Sequence, residues 1–172
     1  DDQINTVFIT TRHHTHSGFV LEALKRNKNI FVEKPLCLTK EELLEIKKEY
    51  EKRNSHLMVG FNRRFAPQIK LILNSLGKDS LKTVNYRVNL GPLSPDHWTQ
   101  DKEVGGGRII GEVCHFIDLA MFLCNSKPEM LSAFAIKDPL FLYNTVSIII
   151  RFKNGSVATI NYYANGNKTL NK

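Results

Sequence analysis

Two side chains in this sequence are suited to proton chemistry beside a bound substrate, and the first is a lysine. Lys34 lies in Glu33-Lys34-Pro35, directly after Asn29-Ile30-Phe31-Val32, an apolar run that predicts a short buried strand. Ligands of open α/β sheets bind where strands end, so the Lys34 ammonium is placed to meet a substrate oxygen. The alternative is a solvated lysine in a strand-to-helix loop, with Glu33 as its surface ion-pair partner.

The second is His115, which lies within an apolar segment of helical spacing, Gly111 to Cys124. At ~100° per residue the apolar side chains form one stripe, and His115 falls on the opposite side together with Asp118. Because an imidazole titrates near neutrality, His115 suits proton transfer, and Asp118 is placed to orient it. The alternative is a surface histidine paired with an aspartate, behind the flexible run Gly105-Gly106-Gly107.

Polar residues also follow two other predicted strands. Arg12-His13-His14-Thr15-His16 holds three histidines, but no acidic residue or cysteine lies at a standard ligand spacing, so we predict no metal site. Asn62-Arg63-Arg64 offers two guanidinium groups to an anionic substrate or phosphate. The alternative there is an ordinary basic start of a helix, although arginine at that end opposes the helix dipole.

The elements that must position these residues alternate in the first part of the chain. Strand and helix follow one another, which implies a parallel sheet with right-handed crossovers. Thr39 and Glu42 form a capping-box signature at the start of the second helix. Apolar runs predict buried strands at 6–10, 29–33 and 56–60, and helical spacing predicts helices at 16–26 and from residue 39 onward.

After residue 62 the pattern changes to helices followed by successive strands, which indicates an α+β layer with an antiparallel sheet. Asn154-Gly155 predicts a tight hairpin between the last two strands. The predicted elements are a helix at 66–76, a strand at 81–90, the helix of His115, and strands at 130–136, 144–152 and 157–164. The predicted fold class is therefore α/β plus α+β, with residues 1–62 as one domain and 63–172 as the other.

Composition sets limits on partners and location. The 172 residues are 42% hydrophobic and carry a formal net charge of +7, with the basic residues spread along the chain. This charge permits an anionic small ligand and gives little support to a nucleic-acid-binding module, which we do not favour. Three cysteines, in no zinc-type spacing, favour a reduced, cytoplasmic protein, and no apolar stretch has the length of a membrane span.

The order of these motifs resembles the Gfo/Idh/MocA family of NAD(P)-dependent sugar and polyol oxidoreductases. The resemblance runs from about residue 2 to residue 164. It rests on Thr10-Thr11 and His16, then Glu33-Lys34-Pro35, then Gly60-Phe61-Asn62-Arg63-Arg64-Phe65, then Gly105-Gly106-Gly107, and finally Gly111-Glu112-Val113-Cys114-His115-Phe116-Ile117-Asp118.

The resemblance implies a Rossmann domain, of which this chain holds the C-terminal part, followed by a domain with a mostly antiparallel sheet that is incomplete at its C-terminus. The glycine-rich phosphate turn is expected upstream, so we expect a fragment that is inactive by itself. The implied activity of the complete enzyme is hydride transfer between NAD or NADP and a hydroxyl of a sugar, nucleotide sugar or cyclic polyol. The competing interpretation is a non-catalytic nucleotide-binding scaffold or regulator of the same fold.

The resemblance also assigns site residues. It implies that Lys34 and His115 are catalytic. The implied cofactor contacts are Thr11, Arg12, His16, Glu33, Lys34 and Pro35, and the candidate substrate contacts are Asn62, Arg63, Arg64, Glu112 and Asp118.

Two positions depart from the family pattern. Many members have proline where this chain has Arg12, and many carry an aspartate where it has Gly111. Asp118 or Glu112 is expected to substitute for that aspartate, or proton transfer depends on His115 and Lys34 alone.

Self-association is also expected. The last strands offer a broad apolar face, and relatives pair through it, which implies a homodimer or homotetramer. The face is marked by Tyr143, Ile149, Tyr162 and Tyr163.

Overall fold

A computed structural model describes residues 3–77, 79–138, 142–167 and 169. None of the helices in these ranges has the length and apolar character needed to cross a bilayer. The strands are β1 Thr6–Ile9, β2 Asn29–Val32, β3 Leu57–Val59, β4 Thr83–Asn89, β5 Pro128–Ile136, β6 Thr145–Phe152 and β7 Val157–Tyr163, and the helices are α1 His16–Lys25, α2 Lys40–Tyr50, α3 Pro67–Leu76 and α4 Cys114–Cys124.

The first sheet is parallel, in the order β1-β2-β3, as the strand–helix alternation predicts. The helices α1 and α2 connect its strands, and α2 begins with the predicted capping box between Thr39 and Glu42. The core beneath them contains Val20, Leu24 and Val32, all fully buried. The carboxyl ends of the three strands therefore point to one edge, where the loops after residues 9, 32 and 59 lie.

The prediction that the first strand is buried is wrong for most of it. Phe8 is 71% exposed, and Ile9 is the buried residue of β1. The reason is position, because β1 is the edge strand of this sheet and pairs with β2 alone. Phe8 contacts Phe31 of β2, with 5.5 Å between the ring centroids, and its other face lies in an open apolar groove.

The second sheet has the order β4-β7-β6-β5. The pairs β5–β6 and β6–β7 are antiparallel and β4–β7 is parallel, so the sheet is mostly antiparallel, as predicted. The predicted hairpin joins β6 to β7, and Gly155 adopts the positive φ of +91° that its turn requires. Ile150, Phe152 and Ile160 are fully buried against α4. The contact between the second sheet and α4 forms the hydrophobic core of the second domain.

The segment before α4 departs from the predicted regular helix. Ile109–Val113 forms a wide π-type turn, and the α-helix begins at Cys114. Such turns are rare in proteins, and many of those that occur lie at functional sites. Here the turn lies against the end of the first sheet, because the carbonyl of Gly111 accepts a hydrogen bond from Lys34 Nζ at 2.6 Å.

Candidate active site

A cavity of about 330 Å³ lies where the end of β2 meets the π-type turn. The hydrogen bond from Lys34 to Gly111 joins residues 77 positions apart, and both residues line this cavity together with His115. The predicted convergence of the ammonium and the imidazole is therefore present in the structure. Arg63, Glu112 and His13 complete the charged and titratable lining. Asn62 lines a neighbouring open cavity that shares Arg63 and His115.

The His115 ring is half-buried and packs edge-on against Phe61, with 6.0 Å between the ring centroids. Burial lowers the pKa of His115 to about 4, and the nearby cations Lys34 and Arg63 act in the same direction. Its Nδ1 atom is enclosed and has no hydrogen-bond partner among the residues that the structure describes. His115 is therefore neutral at pH 7, and no side chain in the described ranges orients its ring through Nδ1.

Asp118 does not orient His115, contrary to the expectation from helix geometry. Its carboxylate accepts two hydrogen bonds from Arg64, one of them from Nε at 2.6 Å. This bond raises the pKa of the Arg64 guanidinium. The 3₁₀ turn at residues 62–65 packs on α4 and brings the two side chains together, so both lie outside the cavity. Of the two arginines predicted to bind substrate, the structure brings only Arg63 to the cavity lining.

Glu112 belongs to a polar network at the floor of the cavity. Arg108 donates to its carboxylate from Nε at 3.2 Å, and the Tyr162 hydroxyl donates to it at 2.5 Å. Tyr162 was expected on an exposed face but is fully buried, because its strand turns it toward α4. Glu112 is thus committed to two partners, and it does not replace an aspartate at position 111 as a partner of His115.

The loop after β1 is tied to the loop after β2 by His16. This imidazole is fully buried, and its two nitrogens bond the carbonyls of Pro35, at 2.7 Å, and Thr11, at 3.0 Å. His16 therefore positions the two loops rather than facing a ligand. Within the described ranges, no three histidine, cysteine, aspartate or glutamate side chains converge as a metal site would require.

His13 is the residue that sequence reasoning did not assign to the site. It is buried, its Nδ1 lies 2.8 Å from the carbonyl oxygen of Gly105, and its ring packs edge-on against Trp98 at 4.7 Å. A Cβ atom at position 111 would lie 2.9 Å from its Cε1 atom. The His13 ring thus occupies the space that a side chain at Gly111 would fill. The departure at Gly111 was the available signal, but sequence alone did not show what lies opposite it.

The loops after β1 and β2 form an open edge of the parallel sheet, which is where cofactors bind in α/β folds. Thr11 and Arg12 are exposed there, and Lys34 reaches from β2 into the cavity. Pro35 is buried, and Glu33 accepts from the backbone N–H of Lys34 at 3.3 Å. The donor set at this edge is polar and open, as a bound cofactor requires.

The fold and the site define a class of protein in which part of a Rossmann-type parallel sheet is joined to a second domain. The second domain is built on a mostly antiparallel sheet and has its own hydrophobic core. Residues 1–61 match the family model described as "Oxidoreductase family, NAD-binding Rossmann fold", and residues 74–169 match the "GFO/IDH/MocA C-terminal domain". The chain belongs to the GFO/IDH/MocA oxidoreductase family. The predicted family and fold class are thereby confirmed.

Relatives of this chain include proteins named as dehydrogenases. It is 28% identical over 155 residues to trans-1,2-dihydrobenzene-1,2-diol dehydrogenase of Xenopus laevis, covering 88% of this chain and 47% of the relative. It is 26% identical to myo-inositol 2-dehydrogenase of Thermotoga maritima, covering 93% of this chain and 50% of the relative. The chain thus spans about half the length of the curated relatives that it matches.

Solved structures show the same likeness. Levoglucosan dehydrogenase in complex with NADH and levoglucosan superposes with a TM-score of 0.83 at 27% identity, covering 98% of this chain and 50% of that one. The apo form of levoglucosan dehydrogenase gives a TM-score of 0.80 at 26% identity, covering 99% of this chain and 51% of that one.

Proposed function

We propose that this chain forms part of an oxidoreductase that transfers hydride between NAD or NADP and a hydroxyl-bearing carbon of a sugar, nucleotide sugar or cyclic polyol. The observation that carries the proposal is the placement of Lys34 and His115 in one cavity at the carboxyl end of a parallel sheet. The NAD-binding family model over residues 1–61 and the sugar and polyol dehydrogenases among the relatives support it.

The residues of the cavity divide the work of orienting the substrate. Lys34 hydrogen-bonds the substrate oxygen from its place beside the Gly111 carbonyl, and His115 contacts the same oxygen. The hydroxyl proton passes to an imidazole of this cavity. Thr11, Arg12 and Lys34 hold the nicotinamide end of the cofactor, which supplies the carbon that accepts hydride. Arg63 faces the substrate side of the cavity.

The proposal is tested with the complete product of the gene that encodes this chain (the complete protein). We expect reduction of NAD or NADP with at least one member of a panel of sugars, nucleotide sugars and cyclic polyols. Replacement His115→Ala is expected to lower kcat by about 10- to 100-fold, since it removes a hydrogen bond to a group that becomes charged. His56→Ala, an exposed histidine before β3, is the matched control and should retain the wild-type kcat.

The alternative of a non-catalytic scaffold has one observation in its favour, the absence of any described partner for His115 Nδ1. It predicts that the complete protein binds NAD or NADP but turns over no substrate of the panel. It also predicts that His115→Ala leaves cofactor binding unchanged. Turnover that depends on His115 would reject it.

We also propose that the complete protein is a homodimer or homotetramer that associates through the face of β5 and β6. Every residue of β5 is exposed, and Phe134 at 80% is the most exposed large apolar side chain of the described chain. Met130, Ile136 and Ile149 extend the same apolar surface.

Replacement Phe134→Asp is expected to convert the assembly to monomers, because a carboxylate cannot be buried unpaired in an apolar interface. Sedimentation velocity of the complete protein measures the change. Leu71→Asp, on the exposed face of α3, is the matched control and should leave the assembly intact. A wild-type protein that sediments as a monomer would refute the proposal.

A further inference from the structure

We propose that the Nε2 atom of His13 accepts the hydroxyl proton of the substrate, which makes His13 a further catalytic residue of the cavity. The inference rests on the proposed function, because it names the group that takes the proton in that reaction. Three observations carry it: the hydrogen bond that fixes one ring nitrogen, the open position of the other, and the place of the ring beside Gly111.

The hydrogen bond to Gly105 determines the tautomer of His13. A carbonyl oxygen can only accept, so the Nδ1 atom, 2.8 Å from it, must carry the hydrogen. The neutral ring then has its lone pair on Nε2. That atom has no hydrogen-bond partner in the described part of the chain and is not among its enclosed unpaired atoms, while the ring lines the cavity. Nε2 is therefore an open proton acceptor.

His115 has the opposite arrangement. Its enclosed Nδ1 atom meets no acceptor among the described residues, and a buried N–H left unpaired costs about 1–3 kcal/mol. The hydrogen of the neutral ring is therefore favoured on Nε2. In that tautomer His115 can donate to the substrate oxygen, but its Nε2 has no lone pair with which to take the proton. The two imidazoles thus hold different roles beside one substrate.

The position of the His13 ring is fixed on several sides. On one side the ring fills the space that the absent side chain of Gly111 leaves open, since a Cβ there would lie 2.9 Å from Cε1. Trp98 packs against the ring edge-on. The acceptor is held as well, because the Gly105 N–H donates to the Asp101 carbonyl at 2.9 Å and its backbone packs so closely on Thr99 that a Cβ would lie 2.3 Å from the Thr99 Cα. His13 therefore projects Nε2 from a rigid support, as a catalytic group requires.

The charges around His13 keep it neutral at working pH. Burial lowers its pKa, and electrostatic interactions with Lys34 and His16 act in the same direction. The hydrogen bond to Gly105 and the carboxylate of Glu112 oppose this shift, and the net pKa is below the ordinary value. Oxidation needs the unprotonated ring, so activity should fall as pH is lowered through the pKa of His13.

The proposed step balances. The O–H bond of the substrate breaks and its proton forms a bond to His13 Nε2, while the electron pair of that O–H bond becomes the second bond of the carbonyl. The C–H bond breaks with its electron pair, which leaves as hydride to NAD⁺ or NADP⁺. The substrate is oxidised by two electrons, the cofactor is reduced by two, and His13 releases its proton to solvent in the next step.

The test uses His13→Asn in the complete protein, because an asparagine amide can still donate to the Gly105 carbonyl but cannot take up a proton. We expect kcat for oxidation to fall by about 10²- to 10⁴-fold, with loss of the acidic limb of the pH profile. His14→Asn changes the neighbouring exposed histidine and should leave kcat and the profile unchanged. A His13→Asn protein whose kcat stays within about threefold of the wild-type value, and whose pH profile keeps its acidic limb, would overturn the inference.

A spectroscopic measurement separates this inference from the proposed function. Imidazole ¹⁵N chemical shifts of the complete protein, assigned with His13→Asn, are expected to show His13 with hydrogen on Nδ1 and His115 with hydrogen on Nε2. The reverse tautomers would overturn the role of His13 even in an active enzyme. A wild-type protein that binds cofactor but oxidises nothing would overturn the proposed function and, with it, this role.

Discussion

Replacement Lys34→Met in the complete protein is expected to lower kcat by about 10²- to 10³-fold, the effect of removing a positioned donor from an oxygen that develops charge. The ammonium reaches the cavity from the end of β2 and is held at 2.6 Å from the Gly111 carbonyl. Methionine has a similar length but donates no hydrogen bond. The oxygen that Lys34 would polarise is then left without its cationic donor. Steady-state kinetics with the best substrate of the panel measures the loss.

The control for this prediction is Lys40→Met, which changes an exposed lysine at the start of α2. It should leave kcat unchanged and, like Lys34→Met, should leave the circular dichroism spectrum unchanged. A Lys34→Met protein with wild-type kcat would show that the ammonium contacts nothing in the transition state.

Replacement Arg108→Met is expected to lower the free energy of unfolding by about 3 kcal/mol, because it leaves partners of a buried cation unpaired. Arg108 is 2% exposed. It donates to Glu112, and its Nη1 donates to the Gly91 carbonyl at 2.6 Å, while its guanidinium carbon lies 5.2 Å from the Tyr162 ring centroid. Glu112 keeps its bond from Tyr162 and some exposure, which places the expected cost at the lower end of the range for such pairs.

Lys47→Met supplies the exposed comparison. Lys47 also pairs with a glutamate, at 3.8 Å, but its side chain is 67% exposed and that of Glu51 is 62% exposed. An exposed pair contributes about 0–1 kcal/mol, so this variant should unfold at nearly the wild-type denaturant concentration. If the two replacements lowered the free energy of unfolding by the same amount, the buried position of the Arg108–Glu112 pair would not be the source of its stabilising effect.

Local sequence patterns predicted most of the secondary structure and the topology of the first sheet. The alternation up to residue 60 predicted a parallel sheet, because a helix that crosses between two strands returns the chain to the same end of the sheet. Thr39 and Glu42 predicted a helix start because a capping box needs only neighbouring residues. The convergence of Lys34 and His115 followed from the rule that ligands bind at strand ends and from the resemblance in motif order.

The partners of individual charges were not predictable in the same way. The Arg64–Asp118 pair joins positions 54 apart, and the Tyr162–Glu112 bond joins positions 50 apart. Each depends on how α4 and its π-type turn lie on the neighbouring elements. Helix periodicity gives the direction of a side chain but not the group that it meets. For the same reason the contact between His13 and Gly111 became visible only in three dimensions.

The central claim, that Lys34 and His115 serve one redox reaction in one cavity, is tested most directly by following the hydrogen itself. The complete protein is incubated with oxidised cofactor and with panel substrates deuterated at their carbinol carbons, and the cofactor is analysed by mass spectrometry. The account predicts deuterium on the nicotinamide ring with the wild-type protein, and none above background with the Lys34→Met, His115→Ala double variant. Unlabelled cofactor throughout, or equal labelling by the double variant, would contradict it.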